Sequence, residues 1–286
     1  MAEVRSKGVR IDYLDVGSGS QTLLLLPAWC MSRSIYRDLI PLLARSCRVL
    51  AMDWRGHGAS ERPAADFGAA DFVDDCLAVI EASGARQAIP VSASHAGWVS
   101  ISMRHRLGAQ RVPRLVFIDW LVLPPPPGFV ELVHGLSTPE GWQRTRDTLF
   151  DIWLEGVTDE RAIRFVREEM ASYDGEMWMR SGREIGGCYQ RFGGYPLAYL
   201  ATLDPPAPSL HVYAQPRDQA YYEGQAGFAA RNPWYEFVRL EAHGHFAVLG
   251  SAPQIADAIQ TFITAPRAVG DPAVAAVAGG PAATAR

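Results

Sequence analysis

Ile89-Pro90-Val91-Ser92-Ala93-Ser94-His95-Ala96-Gly97 is the stretch whose reading decides the fold. An apolar run ends near Val91, Ser94 sits at the turn, and a helix-like pattern starts near Trp98. This is the strand–turn–helix layout of a nucleophile elbow, where a sharp turn holds a serine hydroxyl exposed above a sheet. Glycine usually flanks such a serine two residues away on each side, because strand and helix pack too closely for side chains. Here Ser92 and Ala96 stand in those places, and His95 follows the serine directly. The turn can still form, with less room, and the altered small residues point away from ordinary ester hydrolysis.

Outward from the elbow, apolar runs bounded by turn residues alternate with helical patterns, which predicts a mostly parallel sheet flanked by helices. Strands are expected at 11–16 and 22–27, paired as an initial hairpin, then at 48–52, 88–92, 115–119, 209–214 and 235–240. Helices are expected at 34–46, 72–83, 98–107, 221–232 and 253–263. Leu123-Pro-Pro-Pro-Pro-Gly128 interrupts this rhythm, since proline lacks the donor that a helix interior or central strand requires. From Phe129 to about Leu203 the chain is helical and rich in Trp, Tyr and Phe. The predicted fold class is α/β, an α/β-hydrolase fold. Its core comprises residues 1–122 and 206–264, a helical cap is inserted at 123–205, and the Ala-, Gly- and Pro-rich stretch 265–286 forms a disordered tail.

With 286 residues, 48% of them hydrophobic, and a net charge of −4, the chain can bury a sizeable core and has no basic patch suited to nucleic acid. The N-terminus carries no apolar signal core, and no apolar run reaches membrane-spanning length, so a cytoplasmic protein without membrane attachment is expected. Cys30, Cys47, Cys76 and Cys188 have no C-x-x-C spacing and are expected to be buried free thiols rather than zinc ligands or disulfides.

Catalytic parts of this fold follow in the order Ser, acid, His. Glu241-Ala-His243-Gly-His245-Phe246 follows the last strand, and His245 is better placed than His243 for the catalytic position. Two acids compete for the third place. Asp119 ends a central strand among apolar neighbours, where an unpaired carboxylate is costly and His245 is the natural partner. Asp218, in Pro216-Arg217-Asp218-Gln219, reads equally well as a solvated helix N-cap. Asp119 is preferred. The oxyanion hole is assigned to the backbone amides of His95, after the serine, and of Trp29, in Pro27-Ala28-Trp29-Cys30. Metal binding is not expected: His243-x-His245 has no accompanying H-x-D/E or H-E-x-x-H pattern. No Gly-rich phosphate loop occurs in the context a nucleotide cofactor needs.

The motifs now collected occur in one order: Leu26-Pro-Ala-Trp-Cys30, Asp53-Trp-Arg-Gly-His-Gly58, Pro90-Val-Ser-Ala-Ser-His-Ala-Gly-Trp98, Ile118-Asp-Trp-Leu121, Phe150-Asp-Ile-Trp-Leu154, Glu169-Met170, Arg180-Ser-Gly-Arg183 and Gly244-His-Phe246. Together they resemble the cofactor-independent 2,4-dioxygenases of 3-hydroxy-4(1H)-quinolones, an oxygenase branch of the α/β-hydrolase fold. The similarity runs from about Val16 to Ile263 and includes the cap. The resemblance implies ring cleavage by O2 as co-substrate, with no cofactor or metal, releasing carbon monoxide and an N-acylanthranilate. It implies His245, oriented by Asp119, as general base, Ser94 as a substrate-orienting hydroxyl, and Trp29 and His95 as oxyanion donors. Trp153 and Trp178 of the cap would cover the substrate.

Two departures bear on substrate choice. In members acting on the 2-methyl substrate, histidines stand where this chain has Met31 and Ala93. An apolar and a small residue make the site roomier and less polar. That favours 2-alkyl-3-hydroxy-4(1H)-quinolones, including the heptyl quorum-sensing signal, at about 0.8 kcal/mol per buried methylene. Alternatives remain open: the 2-methyl substrate, a Ser94-His245-acid esterase or C–C hydrolase, and an inactive receptor for a small hydrophobic signal. The expected partners are the hydrophobic quinolone and O2, with the protein a monomer or weak homo-oligomer.

Overall fold

A computed structural model describes residues 1–242 and 244–265. Eight strands form one sheet in the order β1-β2-β4-β3-β5-β6-β7-β8. They are β1 (Ala2–Ser6), β2 (Val9–Val16), β3 (Thr22–Leu26), β4 (Arg48–Met52), β5 (Ile89–Ala93), β6 (Leu115–Ile118), β7 (Ser209–Tyr213) and β8 (Tyr235–Arg239). From β4 to β8 every neighbouring pair is parallel; β1–β2 and β2–β4 are antiparallel. The expected α/β-hydrolase architecture is present.

The expected hairpin between residues 11–16 and 22–27 is not formed. β2 pairs with β1 across the Lys7-Gly8 turn and with β4 on its other side, while β3 lies beyond β4. The physical reason is visible in burial. Leu23 to Leu26 are shielded on both faces, as a central parallel strand requires, whereas β2 alternates buried and part-exposed residues as a strand nearer the edge. The 34–46 segment also departs from expectation. It divides into a 3-10 turn, Arg33–Tyr36, and a short helix, Ile40–Leu43, with Pro41 in the first turn of the latter. Proline lacks an amide for a continuous ladder.

Helices between β6 and β7 run from Phe129–Leu136 through Trp142–Leu154, Glu160–Arg164 and Gly175–Arg191 to Pro196–Leu200, with a single π-turn at Phe165–Glu169. They rest on the core through polar clamps. Glu169 accepts the hydroxyls of Ser32 and Ser34 at 2.6 Å each, and Glu184 accepts the Ala69 amide at 2.9 Å. Ala69 opens the helix Ala69–Ala82, so a carboxylate from above meets a helix N-terminus, where the dipole favours it. All four cysteines are buried free thiols. No helix among the described residues is long and apolar enough to cross a membrane. The tail expected beyond Ala265 and the alternative histidine His243 lie outside the described residues.

The elbow helix Gly97–Arg111 lies against Trp120, and a Cβ on Gly97 would collide with the six-membered ring of that buried indole. Trp98 meets the same indole edge-on at 5.2 Å. Gly97→Ala is therefore expected to destabilise the protein by about 1–3 kcal/mol, as overpacking does, measured as a lowered denaturation midpoint. An unchanged midpoint would mean that helix and indole are not packed this closely.

Candidate active site

Three neighbouring parallel strands deliver the predicted residues to one end of the sheet. Ser94 follows β5 with φ of 47°, Asp119 follows β6 with φ of 46°, and Cys30 ends the loop after β3 with φ of 55°. Left-handed backbone is uncommon for residues with a Cβ and marks turns held by their surroundings. Here it lifts the serine hydroxyl and the aspartate carboxylate out of their strands and toward the histidine loop. Ser94 Oγ lies 3.1 Å from His245 Nε2. Met31, Ala93, Ser94, Asp119, His245 and Phe246 line a common cavity of about 10 Å³. That is room for about one water, so a bicyclic ligand needs the walls of this cavity to move apart.

The two candidate acids stand in different surroundings. Asp218 is exposed and caps the helix Gln219–Arg231, accepting the Tyr221 amide at 2.8 Å. Asp119 is buried beside His245 in the cavity lining. Its carboxylate accepts backbone amides from Ala214 at 2.6 Å and Ala247 at 3.2 Å; no hydrogen bond joins it to the His245 ring. Burial pushes Asp119 up to about 7, against the lowering effect of those amides. Burial pushes His245 down to about 4, so the free imidazole is neutral at ordinary pH and open to a proton. An imidazolium formed here would be offset by Asp119 across the same small cavity.

His95 follows Ser94 in the 3-10 turn Ser94–Ala96, while Trp29 does not line the cavity of Ser94 and His245. Neither amide donates to a protein acceptor outside its own turn. The Trp29 indole is wedged against Phe72 at 4.5 Å and stacked near Phe67 at 6.2 Å. The His95 ring, pushed down to about 3 chiefly by burial, stays neutral, and its Nδ1 has no partner. Trp29 and His95 also face a second cavity, beneath Ile185 and Cys188 of the cap. Trp153 stacks on His245 at 5.4 Å, and its carbonyl accepts the His245 amide at 3.4 Å. Neither Trp153 nor Trp178 lines the His245 cavity, and Trp178 packs edge-on against Phe150. Among the described residues no group of three or more His, Cys, Asp and Glu is arranged to hold a metal ion.

Two supports escaped the sequence reading. Gly244, at φ of 85°, lies where a Cβ would strike Val157, so the loop between the helices Trp142–Leu154 and Glu160–Arg164 limits the path of the histidine loop. Tyr221 accepts the Val122 amide and donates to the Trp120 carbonyl, both at 3.0 Å, bracing the chain just after Asp119. Gly244 was open to sequence reasoning, since a glycine between two histidines suggests a tight turn. Tyr221 carried no signal, because its partners are backbone atoms a hundred residues away.

A model of the alpha/beta hydrolase family matches residues 23–258. The chain is 35% identical to a 1H-3-hydroxy-4-oxoquinoline 2,4-dioxygenase of Pseudomonas putida, covering 93% of this chain and 100% of that one. It is 34% identical to the 2-heptyl-3-hydroxy-4-quinolone dioxygenase AqdC2 of Rhodococcus erythropolis, over 90% of this chain and 96% of that one. Among solved structures, a 1H-3-hydroxy-4-oxoquinoline 2,4-dioxygenase superposes with a TM-score of 0.88 at 35% identity, covering 92% of this chain and all of that one. A ring-cleaving enzyme of the Pseudomonas quinolone signal, in complex with its product, gives 0.88 at 30% identity over 93% and 100%.

Substitution separates the two acids. Asp119→Asn is expected to lower kcat on the order of 10²-fold or more, the scale of lost acid–base assistance. Asp218→Ala should leave kcat unchanged and cost about 1 kcal/mol of stability as a lost helix cap. The reverse pattern in steady-state kinetics would reassign the acid. Stability should also respond to pH. His57, His95, His211 and His245 are held below the ordinary 6.5, so the unfolded chain takes up their protons first. Their contribution is full above about 6.5 and is lost as pH falls through about 4. Asp119, raised to about 7, and Asp53, raised by burial, act oppositely, but they are two groups against four. Melting temperature should therefore fall between pH 6.5 and 4; a flat profile would contradict neutral buried imidazoles.

Proposed function

This chain belongs to the 3-hydroxy-4-quinolone 2,4-dioxygenases of the alpha/beta hydrolase family, and from that membership we propose that it cleaves 2-alkyl-3-hydroxy-4(1H)-quinolones with O2, releasing carbon monoxide and an N-acylanthranilate. The observation that carries the reading is the Ser94–His245 pair in a small apolar cavity shared with Asp119, Met31 and Ala93.

In this mechanism His245 removes the substrate's 3-hydroxyl proton, and Asp119 offsets the imidazolium. Ser94 orients the hydroxyl and forms no acyl-enzyme. The electron-rich anion adds O2 at C2, the substrate itself supplying the electrons. The distal peroxide oxygen attacks C4, and the oxyanion that forms there accepts the Trp29 and His95 amides. Collapse breaks the O–O, C2–C3 and C3–C4 bonds. C3 leaves as carbon monoxide, and the two O2 atoms end in the amide carbonyl and the carboxylate. No metal or flavin is required. A dry, enclosed site protects the peroxide from protonation by water.

Met31 and Ala93 support the 2-alkyl preference. Both are buried and line the cavity, presenting an apolar wall where two imidazoles would be costly beside an alkyl chain. The Ser94–His245 hydrogen bond also favours a second reading, an esterase or C–C hydrolase with Ser94 as nucleophile.

Metal-stripped enzyme given 2-heptyl-3-hydroxy-4(1H)-quinolone is expected to consume O2 and release CO in equal amounts, and faster than with the 2-methyl analogue. The Met31→His/Ala93→His double variant should move the preference toward 2-methyl by roughly tenfold, about two methylene equivalents of lost burial. No O2 uptake by the parent enzyme, with ester turnover abolished in Ser94→Ala, would establish the hydrolase instead.

A further inference from the structure

Two buried histidines outside the reacting group share one arrangement. His57 Nε2 accepts the Cys30 amide at 3.0 Å, while its Nδ1 lies 3.0 Å from the Arg55 carbonyl. His211 Nε2 accepts the Trp120 amide at 3.3 Å, while its Nδ1 lies 2.7 Å from Gln225 Oε1. A backbone amide can only donate, so each Nε2 must be unprotonated and each Nδ1 must carry the hydrogen. The second partner fixes the tautomer: the Arg55 carbonyl accepts only, and Gln225 Oε1 also accepts the Tyr235 hydroxyl at 2.6 Å. Both rings are fully buried.

The amides they hold are not arbitrary. Cys30 is itself left-handed and follows Trp29, the proposed oxyanion donor; Trp120 follows the left-handed Asp119. A left-handed residue with a Cβ persists only where its surroundings over-determine it. We propose that His57 and His211 are positioning residues, neutral imidazole clamps that fix the two left-handed turns carrying the Trp29 oxyanion donor and the Asp119 carboxylate. The inference rests on the dioxygenase reading for what those turns do, and on geometry alone for the clamps.

The test replaces each histidine by leucine, which removes the acceptor, and by glutamine, whose Oε1 can reach the Nε2 position. His57→Leu and His211→Leu are expected to lower kcat roughly 10–100-fold, a fraction of the loss for a deleted oxyanion donor, with KM within about twofold. Each glutamine variant should recover most of that loss. Cys47→Ala, a buried change just before β4 at the opposite end of the strands from these turns, serves as control: it should lower the melting temperature but not kcat. Where a leucine variant does not fold, asparagine takes its place, since its shorter arm leaves the amide unpaired. Equal kcat losses in the control, or no rescue by glutamine, would reduce both histidines to packing. Nitrogen-15 NMR of the imidazoles supplies a readout without turnover: both should be neutral and Nδ1-protonated at pH 7, and an Nε2-protonated ring overturns its clamp. An intact tautomer pattern in a parent enzyme that consumes no O2 would sink the dioxygenase reading and leave the clamps standing, with ester turnover then supplying the kcat comparison.

Discussion

Left-handed backbone at the ends of adjacent strands is the constraint from which the rest of this site follows. β3, β5 and β6 are neighbours in the sheet, and the chain leaving them passes through Cys30, Ser94 and Asp119, all at positive φ. Each such residue carries roughly 1–2 kcal/mol of steric cost, so the surrounding structure must hold it. Tight packing of Gly97 on Trp120, the braces from Tyr221, and amide acceptance by His57 and His211 all act at these turns. The same strain that makes the turns costly brings the hydroxyl and the carboxylate to one cavity.

The helical segment above the sheet shapes the site as well as covering it. Trp153 presses on the His245 ring and accepts its amide, while Val157 leaves room only for glycine at position 244. The path of the histidine loop therefore depends on side chains from another part of the chain. Glu169 and Glu184 tie the segment to core serines and to a helix N-terminus.

Burial sets the electrostatic character of the centre. It disfavours every charged form, holding the imidazoles neutral and raising the one carboxylate among them. A proton moved from a bound hydroxyl to His245 thus creates a charge pair in a small apolar space, where a nearby carboxylate and backbone amides count for more than in water. This suits chemistry in which the substrate, once deprotonated, supplies the reactivity.

Sequence by itself determined the scaffold and singled out the candidate site residues. Alternating periodicities carried the α/β architecture, the elbow pattern located Ser94, and chain order located His245, because local geometry is written in adjacent residues. Asp218 read in sequence as either a catalytic acid or a helix cap, and the structure shows it capping Gln219–Arg231. Tertiary structure decided what depends on distant partners. It moved β3 from an edge hairpin to the centre of the sheet, because only assembly shows which strand is shielded on both faces. It put Asp119 in the wall of the His245 cavity. And it turned His211, a lone imidazole in an apolar strand, into the acceptor for an amide ninety-one residues away. Backbone amides are the same at every position, so no residue pattern announces which one a buried ring will hold.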